Sequence, residues 1–245
     1  MNARVTSLPR SVVRWLRALT LRTLAAFALA IVASVGFVVI SAYVRHGVFD
    51  QVDISTELEV HKLDSPTWDF LMKSASFIGS NLFLLPMCAV VMWLCVRRQR
   101  RKAAVILAVD AVVAIGLDNL LKMIFQRDRP TILDKIAVPT GYSFPSGHSM
   151  SAMGIWGVVA AVIVYLYPRT KRPIIGAAVL LIAAIGFSRI YLGAHWPFDV
   201  VGGFLGGIPL LVVSVHLLHR DPRREHDTNV ADLMIEKSSA PGAAP

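Results

Sequence analysis

Cysteine is nearly absent: Cys88 and Cys95 are the whole supply. They lie seven residues apart in one apolar run, so a helix would put them on one face but about 10 Å apart along its axis. That is too far for a disulfide between them, and the pair reads as two small buried hydrophobes. No Cys/His spacing suited to a metal ion occurs anywhere. Charge is scarce as well, at 17% of residues against 55% hydrophobic, with a mean hydropathy of +0.59. A soluble domain of this length is rarely so apolar. No internal repeat stands out.

What the chain has instead is long apolar runs. Residues 23–44 carry no charge and as a helix would span ~30 Å, the thickness of a bilayer core. Comparable runs cover roughly 74–96, 103–125, 149–167, 174–192 and 197–218. The expected fold is therefore all-α, a polytopic bundle of six transmembrane helices in one domain over 23–218. A basic leader, 1–22, precedes it. A polar tail, 219–245, ends Ser-Ser-Ala-Pro-Gly-Ala-Ala-Pro and is expected to be disordered. The first run is about twice the length of a signal-peptide core and no clear A-x-A site follows, which predicts an uncleaved anchor.

The net charge of +9 invites a nucleic-acid reading, but its distribution argues otherwise. Basic residues crowd the leader (Arg4, Arg10, Arg14, Arg17, Arg22), the 97–102 loop, the 168–173 loop and the tail. All four lie on one side of a six-span chain. The other side holds Arg45, Lys62, Lys73, Arg127, Arg129 and Lys135. The positive-inside rule then places both termini in the cytoplasm and the loops 45–73, 126–148 and 193–196 outside. Nucleic acid is not expected as a partner.

The first exterior loop, 45–73, is long and acidic, with Asp50, Asp53, Glu57, Glu59, Asp64 and Asp69. Part of it reads either as a short interfacial helix that helps admit a lipid or as a solvated connector. Ser65-Pro66 reads as a helix start, with Trp68 and Phe70 suited to the headgroup belt. Gly202, Gly203, Gly206 and Gly207 in the last run allow close helix packing, here expected within the bundle.

Three short clusters carry the chemistry. Lys122 and, seven residues on, Arg129-Pro130 supply cations near an exterior helix end, and a guanidinium offers a forked pair of donors to a phosphate. Pro145-Ser146-Gly147-His148 directly precedes an apolar helix, whose first turn has free N–H groups and a positive dipole end. Ser188-Arg189 precedes His195 and Asp199, four residues apart, which puts the carboxylate beside the imidazole. An aspartate accepting one ring N–H would fix the tautomer and leave the other nitrogen free to attack. Each cluster alone has a bland reading: a snorkelling lysine, a capped helix, a structural ion pair. All three fall at exterior span ends in a topology derived from different residues, the cytoplasmic arginines and lysines.

With these residues in place the chain resembles the type 2 phosphatidic acid phosphatase superfamily, whose signature is K-x6-R-P, P-S-G-H and S-R-x5-H-x3-D. It matches every part, over about residues 70–218. The resemblance implies a membrane lipid phosphatase. His195 would attack phosphorus to give a phosphohistidine, Asp199 would orient and charge-stabilise it, and His148 would protonate the leaving oxygen and then activate water. Lys122, Arg129, Ser146, Gly147 and Arg189 would hold the phosphoryl oxygens. No metal and no cofactor are expected, since the cations take that role. Family substrates include phosphatidate, phosphatidylglycerophosphate, undecaprenyl pyrophosphate and lipid A phosphates. The implied location is a bacterial inner membrane, with the site facing the periplasm or exterior. Vanadium haloperoxidases share the signature on a soluble fold. A lipid phosphotransferase with the same phosphohistidine, and a non-catalytic lipid-binding protein of the same fold, remain as alternatives. Oligomeric state is open.

Two acids lie outside the signature. Asp118 precedes Lys122 by one turn and is expected to orient it. Asp110, two turns deeper, reads as a structural tie or a group involved in proton movement.

Overall fold

The computed structural model describes residues 21–132 and 141–220, and among them the chain forms helices and no strands. These are α1 (Leu21–Arg45), α2 (Asp50–His61), α3 (Pro66–Ile78), α4 (Asn81–Arg97), α5 (Arg101–Phe125), α6 (Gly147–Leu166), α7 (Lys171–Tyr191) and α8 (Pro197–His219). Most of the leader, Lys135, and the tail beyond residue 220 lie outside the described residues.

α1, α5, α6, α7 and α8 are each long and apolar enough to cross a membrane, while α3 and α4 qualify only as a pair bent by 51°. The six-span count holds with that pair as one span, but the run expected over 74–96 is not one straight helix. The contacts at the turn come from other helices. A Cβ at Gly79 would sit 2.5 Å from the Ile185 side chain and 3.4 Å from the His148 ring, so the backbone passes where only glycine fits. The Ile78 carbonyl, an orphan at the end of α3, accepts the Trp156 indole N–H at 3.3 Å. α3 begins as the sequence predicts: Ser65 caps it, accepting the Trp68 N–H at 3.3 Å, with Pro66 in the first turn.

α8 is the central strut, packed against α1, α5, α6 and α7. In lipid there is little hydrophobic drive between helices, so close contact of small residues matters more. The glycine face of α8 meets α6 and the segment before it. Gly202 lies against Phe144, Gly203 against the Ser146 carbonyl and Ser149, and Gly207 against Met153. The stripe is used within the bundle, as expected. Cys88 and Cys95 are free and buried in the core shared with α5 and α6.

The 45–73 loop is not a plain solvated connector. Its α2 turns two carboxylates inward, Asp53 and Glu57, both fully buried. The aromatic stack of Phe49 on Phe198, centroids 3.7 Å apart, fixes the start of α2 over the start of α8. Four described elements thus meet at one end of the bundle: α2, the end of α5, the start of α6 and the α7–α8 turn.

Candidate active site

Each predicted residue sits at that end. Lys122, in the last turn of α5, is bound by Asp118 at 2.8 Å, the i, i+4 pairing read from the sequence. α5 ends at Gln126, whose positive φ of 48° turns the chain and lets 127–129 cross the mouth of the bundle. Arg129 is then held by three carbonyls: Nε donates to Gly141 at 2.9 Å, Nη1 to Ala194 at 2.6 Å and Nη2 to Tyr142 at 3.1 Å. Its fork is immobilised before any ligand arrives.

α6 starts at Gly147 with Ser146 as its cap. Ser146 is fully buried, accepts the Ser149 hydroxyl at 3.0 Å, and gives its backbone N–H to the Asp199 carbonyl at 2.9 Å. Its oxygen is therefore occupied by capping; only its own hydroxyl hydrogen is left to serve a phosphate. A side chain at Gly147 would collide with the Asp118 carboxylate, so this glycine is what lets α6 start against the Asp118–Lys122 pair.

Arg189, 4% exposed, closes α7 and donates to the Ser76 hydroxyl of α3. Its Nε is buried without a hydrogen-bond partner among the described residues. The α7–α8 turn carries His195, 2% exposed, whose Nε2 lies 3.3 Å from Arg129 Nη1. Asp199 stands in the first turn of α8. Its Oδ2 is 3.6 Å from His195 Nδ1, longer than a hydrogen bond, so the direct Asp–His bond expected from the i, i+4 spacing is not formed. The reason is Ser143, whose hydroxyl bonds to Asp199 Oδ2 and lies 3.3 Å from Nδ1.

His148 and His195 lie within electrostatic range of each other and of Lys122, Arg129 and Arg189. Burial, with the positive fields of Arg189, Arg129 and Lys122 behind it, holds the His195 imidazole well below its ordinary range. It is neutral near pH 7, with a lone pair to offer. Burial also lowers Arg129, against the pull of Asp199 and Asp118.

Sequence reading missed four participants. Arg127 joins Asp199 Oδ1 and Asp53 Oδ2, both at 2.7 Å; burial opposes its charge, but these two carboxylates outweigh that and raise it. Burial raises Asp53, against its Arg127 and Phe198 hydrogen bonds. Ser143 and Ser76 are the others. Arg127 and Ser143 flank signature residues in the chain, which was a usable signal; Asp53 and Ser76 come from distant helices and had none. A cavity of about 640 Å³, lined by Arg45, Asp50, Arg127 and Arg129 as well as Val44 and Ile54, opens beside this network.

The chain is similar to known membrane phosphatases over most of this bundle. The family model described as PAP2 superfamily matches residues 103–223, which span every signature residue. Phosphatidylglycerophosphatase B of Bacillus subtilis (strain 168) is 27% identical over 178 residues, 71% of this chain and 87% of its own. An undecaprenyl-diphosphatase of Sulfolobus acidocaldarius is 26% identical over 196 residues, 76% of this chain and 89% of its own. The crystal structure of a transmembrane PAP2-type phosphatidylglycerolphosphate phosphatase from Bacillus subtilis superposes with a TM-score of 0.71 at 25% identity, covering 76% of this chain and 94% of that one. With its signature residues gathered at one end of a helical membrane bundle, the chain belongs to the PAP2 superfamily.

Proposed function

We propose that this membrane phosphatase hydrolyses the phosphate mono- or diphosphate ester of a lipid through a phosphohistidine on His195, without a metal ion. The observation that carries the reading is the position of His195 Nε2, neutral and facing the immobilised Arg129 fork at 3.3 Å. A phosphoryl oxygen arriving there takes over the guanidinium hydrogen and uncovers the nitrogen lone pair. Lys122 and the orphan Nε of Arg189 supply further donors, which a buried site would otherwise leave unsatisfied.

In the first step Nε2 forms the P–N bond, the lipid oxygen leaves with the electron pair of the broken P–O bond, and His148 gives that oxygen a proton. In the second, His148 takes a proton from water, whose oxygen displaces Nε2 and releases phosphate. Asp199 offsets the imidazolium charge between the two. Lys122, Arg129 and Arg189 neutralise the oxygens as a metal would elsewhere. The excess of lysine and arginine on the opposite side of the bundle supports cytoplasmic termini and a site facing the periplasm or exterior of a bacterial inner membrane.

The test is phosphate release by the detergent-purified chain in EDTA, across undecaprenyl pyrophosphate, phosphatidylglycerophosphate, phosphatidate and lipid A, with His195→Ala alongside. Release from one lipid that vanishes in the folded variant is the expected result and names the substrate. Undiminished release by His195→Ala overturns the nucleophile assignment.

A further inference from the structure

The directions of the hydrogen bonds around His195 follow from which groups can donate. A guanidinium has no acceptor, so His195 Nε2, 3.3 Å from Arg129 Nη1, presents its lone pair and the ring proton sits on Nδ1. Nδ1 faces Ser143, whose hydroxyl oxygen is 3.3 Å away. An ionised carboxylate only accepts, so the single hydroxyl hydrogen of Ser143 goes to Asp199 Oδ2. The line runs Nδ1–H to Oγ–H to Oδ2.

The far end of this line is anchored. Asp199 Oδ2 also accepts the Trp196 N–H at 3.0 Å, and Oδ1 accepts Arg127 Nη1 at 2.7 Å. Arg127 Nη2 reaches α2 through Asp53 at 2.7 Å and Asp50 at 3.3 Å. Asp53 in turn takes the Phe198 N–H of α8 at 2.9 Å. Both oxygens of Asp199 are committed to named donors, so the carboxylate cannot swing toward the ring.

We propose that Ser143 and Arg127 are positioning residues of this phosphatase: the Ser143 hydroxyl couples Asp199 to His195, and Arg127 locks that carboxylate to α2. The proposal rests on His195 being the nucleophile. When Nε2 takes the phosphoryl group the ring becomes cationic and keeps its Nδ1 hydrogen. The Ser143 oxygen then meets a stronger donor, and its own hydrogen stays on Asp199, so charge is offset without a proton leaving the line. This coupling acts on the intermediate and its transition state, not on substrate binding.

The experiment uses the full chain in detergent with dioctanoyl phosphatidate and phosphatidylglycerophosphate as probes, comparing Ser143→Ala, Ser143→Thr, Arg127→Lys and His195→Ala. Ser143→Ala should lose about 10- to 100-fold in kcat with KM within about 2-fold, and Ser143→Thr, which keeps the hydroxyl, should recover most of it. Arg127→Lys should also fall mainly in kcat, by about 10-fold, because an ammonium lacks the rigid planar fork that fixes two carboxylates in place. If His195→Ala turns over at the wild-type rate, the reading of the site fails and this one with it. If His195→Ala is inactive while Ser143→Ala keeps wild-type kcat, or Ser143→Thr is as slow as Ser143→Ala, the coupling alone is overturned. Should Ser143→Ala not fold, Ser143→Cys keeps the unbranched skeleton with a weaker donor, and wild-type kcat there overturns the coupling equally.

Discussion

The site end of the bundle and its middle treat buried charge differently. At the site end three buried carboxylates are answered by cations: Asp118 by Lys122, and Asp53 and Asp199 by Arg127. Eight residues before Asp118 on the same helix, Asp110 accepts the Ser214 hydroxyl of α8 at 3.0 Å, its one hydrogen bond among the described residues. Its second oxygen has no partner among the described residues. A charge in a low-dielectric interior is costly unless paired and hydrogen-bonded. Where an anionic substrate has to be handled, that cost is met with interlocked ion pairs that also aim side chains. Asp110 aims nothing; its one bond ties α5 to α8.

The contrast can be broken or sharpened by substitution. The largest effect is expected for Asp199→Asn, a loss of about 10³- to 10⁴-fold in kcat, because an amide neither offsets the imidazolium nor accepts both Ser143 and Trp196 in the same way. Phosphate release, with a thermal melt to confirm folding, measures it. Asp118→Asn should cost about 10-fold in kcat/KM by releasing Lys122 from its fixed position. Unchanged activity and an unchanged pH profile would end the idea that Asp118 orients the lysine.

Stability should fall on acidification. His195 is held well below its ordinary range in the fold, so below about pH 6.5 the unfolded chain binds a proton that the native chain refuses. The contribution is fully present above that pH and lost as the pH drops toward the depressed native value, by up to about 1.4 kcal/mol per pH unit. Melting temperatures of the wild type and His195→Gln from pH 7.5 to 5 check this: the variant should lose less. An equal loss in both would assign the acid sensitivity to other groups. The smallest effect on catalysis belongs to Asp110→Leu, with activity within about 2-fold but a lower melting temperature. The orphaned Ser214 hydroxyl costs about 1–3 kcal/mol, and adding Ser214→Ala should recover part of it. Wild-type stability of Asp110→Leu would remove the helix-tie reading.

Much of this molecule was legible in the chain because lipid is a severe solvent. Every backbone polar group must be satisfied within a span, so apolar length alone announces α1, α5, α6, α7 and α8. The signature was legible because each part sits on a helix end, where i, i+4 spacing and free N–H groups turn sequence into geometry. Where the reading failed, the cause was a contact from elsewhere. At the break by Gly79, Ile185 fills the space a side chain would need and Trp156 takes the free Ile78 carbonyl. The missing Asp199–His195 bond follows from Ser143, 56 positions away, claiming the carboxylate.

The sequence by itself determined the class of the molecule: spans, family, the reactive residue types, and the Asp118–Lys122 pair, all local in the chain. Only the tertiary structure decided how the reactive residues are held. Arg127 ends up between two carboxylates more than seventy residues to either side of it, and Arg189 rests on a serine from α3. The physical reason is range: hydrogen bonds within a helix reach one turn, and the bonds that orient His195 come from whichever segments the bundle packs beside it.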